Sequence, residues 1–302
     1  MFQHLLVPLD GSRLAETVLP MVAFLASRAG ARVTLLHVVE RAAPAEVHGD
    51  RHLRSAEDAE HYFERIARDA LPPEIPLRWH IHRREIDDVA HSVADHADEL
   101  EPDLIVMVTH GRRRVMQWIK GTIAQQVVQR TPTPVLLLHP GPEETVPVPF
   151  RQILVALDGQ PEHEASLPVA SDIALLSAAP LRLVMVVPTR DALDGSRAAT
   201  GQLLPAATEE VLRMAEQSGE QYLARHVARL RDAGVSAAAT LARGNPVDVL
   251  RQTIAKHAAD LVALGTHGTA GTQAFWSGTL SQRLIGRVAA SFLLAPASGP
   301  AG

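Results

Sequence analysis

The sequence predicts an α/β protein: two tandem, doubly wound domains, each a five-stranded parallel sheet with helices on both faces. Three observations carry this prediction. Short apolar runs alternate with segments of helical length, which is the pattern of parallel strands joined by crossover helices. The chain also repeats itself. Residues 2–11 match residues 150–159 at an offset of 148, and Asp103-Leu104-Ile105-Val106-Met107-Val108-Thr109-His110-Gly111 matches residues 260–268 at an offset of 157. Finally, four prolines and a glycine crowd residues 139–149, the composition of a semi-extended linker. The expected domains are residues 1–140 and 150–302, joined by a linker at 141–149. The rise in offset adds about nine residues to the second repeat, and a loop over 188–205, rich in small and polar residues, is their expected place.

The elements follow in order. Leu5 to Leu9 is a short apolar strand of the kind buried on both faces. Ser12 to Arg28 reads as a helix that stops at Gly30. Pro20 lies inside it, and Pro168 takes the same place in the second repeat, so a shared kink is expected. Arg32 to Val39 is the second strand. Ser55-Ala56-Glu57-Asp58 resembles a capping box opening a helix to about Ala70, with Phe63 and Ile66 facing the core. Leu77 to His82 is a strand, Ile86 to Leu100 a helix, and Leu104 to Thr109 the fourth strand. Thr122 to Arg130 is a helix, and Pro134 to His139 the last strand.

Composition excludes several classes. The 302 residues contain no cysteine, which removes disulfides, thiol nucleophiles and thiolate metal sites and fits a reducing, cytoplasmic setting. Net charge is −5 and aromatics are 4%, so neither a basic field nor a base-stacking surface points to nucleic acid. No apolar run approaches the ~20 residues of a membrane span, and the N-terminus reads as a strand rather than a signal peptide. The 15 histidines form no metal-ligand pattern such as H-E-x-x-H, so no metal site is expected from them. Arg112-Arg113-Arg114 reads as a solvated loop.

In sheets of this kind, ligands bind beyond the carboxyl ends of the strands. There the first strand of each repeat ends in Asp-Gly, at Asp10-Gly11 and Asp158-Gly159. Such a carboxylate either accepts hydrogen bonds from a ribose or base, or caps the next helix. The fourth strand of the second repeat runs into Gly265-Thr266-His267-Gly268, then nine residues, then Gly278-Thr279 at a helix start. Glycines allow close approach to a ligand, and a helix N-terminus offers free amides to anions. The nine intervening residues are uncharged, so a phosphate here would rest on amides and hydroxyls, with a metal ion carrying the counter-charge. Glycines at such a turn also arise for steric reasons alone. Neither a Rossmann fingerprint, nor a Walker A loop, nor a nucleophile elbow is present.

The spaced motif Gly265-x2-Gly268-x9-Gly278-Thr279, after the strand Asp260-Leu261-Val262-Ala263-Leu264, resembles the nucleotide-binding signature of the universal stress protein family. Ile153-Leu154-Val155-Ala156-Leu157-Asp158, Gly244-Asn245-Pro246 and Leu35-Leu36-His37-Val38 resemble that family too. The resemblance spans both repeats and implies a tandem member. Family members with the glycine motif bind ATP; others lack it. It further implies that Asp158, with Ala156 and Leu157, faces adenine and ribose, and that Val186 meets adenine through its backbone. Leu264 and Gly265 would line the ribose, and Gly268, Gly278 and Thr279 would hold the phosphates. The matching positions in the first repeat are Asp10, Val38, Met107, Val108, Gly111, Gly121 and Thr122. Val108 replaces the first motif glycine, and Arg83-Arg84-Glu85 stands where Gly244-Asn245-Pro246 is expected. The second repeat is therefore expected to bind ATP more tightly, with the first weak or empty.

The function expected is a cytoplasmic, ATP-binding regulatory protein of the stress response, with Mg as a companion ion and an unnamed protein partner. No residue set combines a base, a nucleophile and a charge stabiliser, so no catalytic residue is assigned. The alternatives are a slow ATPase or nucleotide-dependent transferase, and a nucleotide-free interaction module. The family commonly pairs through its last strand. Pro134–His139 and 291–295 are therefore expected to pair within the chain, making an internal pseudo-dimer and leaving a homodimer open.

Overall fold

Leu5, Leu6 and Val7 have no exposed surface. They form the middle of strand β1 (His4–Pro8), which is covered on both faces, so its residues need not alternate. The computed structural model describes the chain except residues 42, 48, 110–122, 142–144, 194–198, 201, 267–277, 286 and 297–302. Two units result: Met1–Pro149 with Ser291–Pro296, and most of residues 150–290. The α/β class and the helix-covered parallel sheets are as the sequence predicts.

In the first unit, β2 (Arg32–Glu40), β5 (Leu77–Ile86), β6 (Leu104–Val108) and β7 (Val135–Leu138) join β1 in the order β7-β6-β1-β2-β5, all parallel. Ser291–Pro296 lies antiparallel on β7, with Phe292 opposite Leu137. This is the strand pairing that the sequence suggested. A two-residue hairpin of β3 (Glu46–Val47) and β4 (Asp50–Arg51) follows β2 and has no counterpart in the sequence reading.

Two expectations need correction here. Pro20 does not kink a helix. Helix α1 (Arg13–Glu16) ends, and α2 (Leu19–Ala29) begins one residue before the proline. In a first turn the missing N–H costs nothing. Gly30 stops α2 in the left-handed conformation, at φ 68°. Pro168 likewise lies in the first turn of its helix. Secondly, Arg83-Arg84-Glu85 is not a loop but the end of β5, whose exposed charges suit a sheet edge.

Helix α3 (Ala56–Asp69) starts as expected, with the Ser55 hydroxyl accepting from the Asp58 N–H at 3.0 Å. Its buried face is Ala59, Tyr62, Phe63 and Ile66, the helical spacing that puts one stripe on the sheet. Helices α4 (Val89–Leu100) and α5 (Ile123–Arg130) complete the unit.

The second unit orders its strands β10-β9-β8-β11, all parallel: β8 (Ile153–Leu157), β9 (Leu181–Val187), β10 (Ala237–Arg243) and β11 (Leu261–Thr266). Its helices are α6 (Ser166–Ser177), α7 (Pro205–Asp232), α8 (Pro246–His257) and α9 (Gly278–Ile285); Ser291–Pro296 is β12. The described part of the expected loop before α7 includes a 3-10 turn, Arg190–Ala192. Gly244-Asn245-Pro246 opens α8. Gly244 turns at φ 142°, the Asn245 side chain accepts from the Val247 N–H at 3.0 Å, and Pro246 fills the first turn. The corresponding cap in the first unit is Asp88, accepting from the His91 N–H at 3.0 Å, so Asp87-Asp88-Val89 is the true counterpart of that motif.

One aspartate in each unit holds the start of the central strand. Asp103 accepts from the backbone N–H groups of Gln3 and His4 at 2.6 and 2.8 Å. Asp260 does the same for Arg151 and Gln152 at 3.0 and 3.1 Å. Their recurrence in the repeated motif therefore has a structural cause.

Three imidazoles meet between β5 and α4. The His96 ring lies 4.6 Å from that of His80 and 5.1 Å from that of His82, between centroids. Both nitrogens of the buried His96 are without a protein partner. Burial, then the neighbouring His80 and His82, hold His96 below the ordinary histidine range, against a weaker pull from Glu99. Burial lowers His37 as well. In the unfolded chain these groups bind protons near pH 6.5, so the unfolded state gains protons first as pH falls. Stability should therefore be full above about pH 6.5 and decline below it. Urea midpoints at pH 7.5 and 5.5 should show the drop, and His96→Leu should shrink it. An undiminished drop in that variant would remove His96 as a cause.

Candidate functional site

Strand order reverses between β1 and β6 in the first unit, and a cavity of about 310 Å³ opens at their carboxyl ends. Asp10 and Val38, both expected at a site, line it together with Met107 and Val108. Ile123 and Ala124 of α5 close one side. Gly11 makes the turn after β1 at φ 91°, where a side chain would be strained and a Cβ would lie 2.6 Å from Leu53 Cγ. Asp10 Oδ1 accepts from the Ser12 N–H at 2.9 Å and from its hydroxyl at 2.7 Å. Ser12 in turn caps α1, accepting from the Ala15 N–H at 3.1 Å. The helix cap is thus Ser12, and Asp10 orients it while bordering the cavity.

Two buried histidines, His37 and His52, and the carboxylates of Asp10 and Glu40 are the polar side chains in walls that are otherwise apolar. His37 Nδ1 donates to the Leu9 carbonyl at 2.9 Å, which fixes the ring against the end of β1.

The second unit differs at the same place. Ala156, Asp158, Leu264 and Gly265 do converge, but with His163 and Leu280 they enclose only about 10 Å³. The counterpart of α1 is here a 3-10 turn, Pro161–Ala165, and it brings His163 to the place that Ala15 takes in the first unit. His163 Nδ1 donates to Asp158 Oδ2 at 2.6 Å, with both side chains at most 9% exposed. The main chain of the turn lies against Gly265, where a Cβ would stand 2.4 Å from the His163 carbonyl oxygen. Glu164 ties the turn to α7, accepting from the Tyr222 hydroxyl at 2.8 Å and lying 3.2 Å from His226 Nε2. Burial, then Glu164, pushes the Tyr222 hydroxyl up, so it stays a neutral donor.

Val186 lines a different space, an apolar cavity of about 550 Å³ between β9 and α7 that Asp158 also borders. Leu157 is buried in the sheet and lines neither space. Gly278 begins α9, as Thr279 follows it there. Gly111, Gly121, Thr122 and Gly268 lie outside the described residues, as do Arg112–Arg114 and His267.

The sequence reading missed His163. At the repeat offset of 148 its counterpart is Ala15, so no recurrence marked it. The only available signal was the exchange itself: Ala15 opposite Val108 in one repeat, His163 opposite Gly265 in the other.

Among the described residues no helix is long and apolar enough to cross a membrane. The universal stress protein family model matches residues 1–139 and again 149–296. A universal stress protein of Synechocystis sp. is 30% identical over 138 residues, covering 46% of this chain and 86% of that protein. Among solved structures, a universal stress protein from Pseudomonas aeruginosa UCBPP-PA14 aligns with a TM-score of 0.69 at 16% identity, over 98% of this chain and 94% of that one. One from Archaeoglobus fulgidus aligns at 0.59 and 16% identity, over 98% and 96%. These structural likenesses speak for the fold.

Proposed function

The chain belongs to the universal stress protein family, with two copies of its domain in tandem, and from that premise we propose that it is an ATP-binding regulatory protein of the stress response. The observation that carries the reading is the 310 Å³ cavity bounded by Asp10, Val38, Met107 and Val108. It lies where an α/β sheet of this topology takes ligands. Its volume, its apolar walls and its few polar groups suit a purine base with a ribose. Asp10 offers an acceptor to ribose hydroxyls, and Leu9 and Val38 present strand-end backbone to a base. Mg would accompany the phosphates of ATP; among the described residues no three His, Asp or Glu side chains are arranged to hold a metal ion. Occupancy then alters shape or partners rather than fuelling turnover.

Freshly purified protein, denatured and analysed by chromatography, should release adenine nucleotide. Added Mg·ATP should raise the melting temperature as a saturating ligand does, through a stabilisation of roughly 2.7 kcal/mol at a hundredfold excess over Kd. ATP should remain intact over hours. No nucleotide released and no shift with ATP would overturn the reading, and steady production of ADP would favour the ATPase.

A further inference from the structure

The two repeats present equivalent strand ends to a ligand, but the described residues around those ends are arranged differently. Resting on the nucleotide-binding reading above, we propose that the first repeat is the ready nucleotide site and that the second is shut by the His163 turn, which a nucleotide must displace. In the first unit one cavity connects Val38 at the end of β2 with Met107 and Val108 at the end of β6. A ligand can therefore span from one to the other. In the second unit the equivalent stretch is divided. Val186 faces the large cavity, Leu264 and Gly265 face a gap of about 10 Å³, and Asp158 borders both.

The His163–Asp158 pair stands at the division. Its 2.6 Å contact joins a donor to a carboxylate with little water around either, the strong class of hydrogen bond. The same carboxylate also accepts from the Gln160 N–H at 3.0 Å, which binds it to the turn a second time. Glu164, held by Tyr222 and His226, fastens the far side of the turn to α7. Asp158, the residue expected to meet a ribose, is thus engaged by the turn that fills the ribose position. Gly265 permits the closure because its missing Cβ is where the His163 main chain lies. The glycine that the family motif would assign to the nucleotide serves the lid in this chain. This reverses the order of affinities expected from the glycine motif.

The test uses full-length protein titrated with Mg·ATP by calorimetry, and photolabelling with 8-azido-ATP followed by peptide mapping. The wild type should bind one nucleotide per chain, with label on peptides from residues 1–140. His163→Ala frees Asp158 and should add a second nucleotide, labelled within residues 150–302. Loss of a charge-assisted contact implies a gain of roughly 10- to 100-fold in affinity at that site. His163→Ser serves as a second variant should the first fail to fold, and labelling of the wild type alone decides which repeat is open. Two nucleotides per wild-type chain, or label confined to the second repeat, would overturn the closure. A folded variant without a second site would overturn the role of His163. No nucleotide bound by any of these proteins would instead overturn the nucleotide-binding reading itself.

Discussion

Gly265→Val should destabilise the second unit by about 3 kcal/mol before any ligand is added. Inserting atoms into a packed region costs typically about 1–3 kcal/mol, and more where the neighbour cannot yield. Here the new Cβ alone would lie 2.4, 2.8 and 2.9 Å from the O, Cα and C atoms of His163. Those are main-chain atoms, so no side-chain rotation relieves them, and His163→Ala should not rescue the variant. The Glu164 contacts to α7 resist lifting the turn away. A unit of this size should melt roughly 6–12 °C lower. An unchanged midpoint would show that the turn leaves Gly265 at no cost.

Phe63→Ala should cost the first unit about 3–5 kcal/mol, the range for an aromatic deleted from a core. Phe63 has no exposed surface. Its ring lies 5.5 Å from that of Tyr62 and 6.5 Å from that of Trp79, between centroids, and so joins α3 to β5. Trp79 itself is 42% exposed, so the outer wall of this cluster can collapse only by drawing solvent-facing edge strand inward. Chemical denaturation should show a lower midpoint with an unchanged slope. A loss under 1 kcal/mol would mean that α3 repacks freely over the sheet.

What the sequence made legible was whatever depends on short-range pattern. The face of α3 from Ala59 to Ile66 follows from helical spacing, and the Ser55 cap from the preference of a hydroxyl for a helix start. The apolar runs of β1 and β8 announced strands buried on both faces. Pro20 misled because a proline reads the same inside a helix and in its first turn. Only the break after Glu16 distinguishes the two, and nothing at Thr17 or Val18 signals it. At the candidate site, Asp10 was legible as the end of the first strand, and Val38 only through the family resemblance. The closure of the second site was not. It depends on a turn approaching a strand about a hundred residues away, and a glycine shows only that something comes close, never what.

The antiparallel seat of Ser291–Pro296 on β7 has a consequence for the order of synthesis. β7 ends at Leu138, yet the strand that covers its outer edge begins only at Ser291. Translation at about 5–20 residues per second leaves that edge bare for roughly 8–30 s while about 150 further residues are made. Val135 to Leu138 are all apolar, and an open apolar edge is a template for pairing with other chains. Neighbouring ribosomes on one message would present such edges to each other during that interval. The nascent first repeat is thus most exposed to wrong pairing during that interval, and a chain cut short near residue 290 would carry the same exposed edge for its whole lifetime.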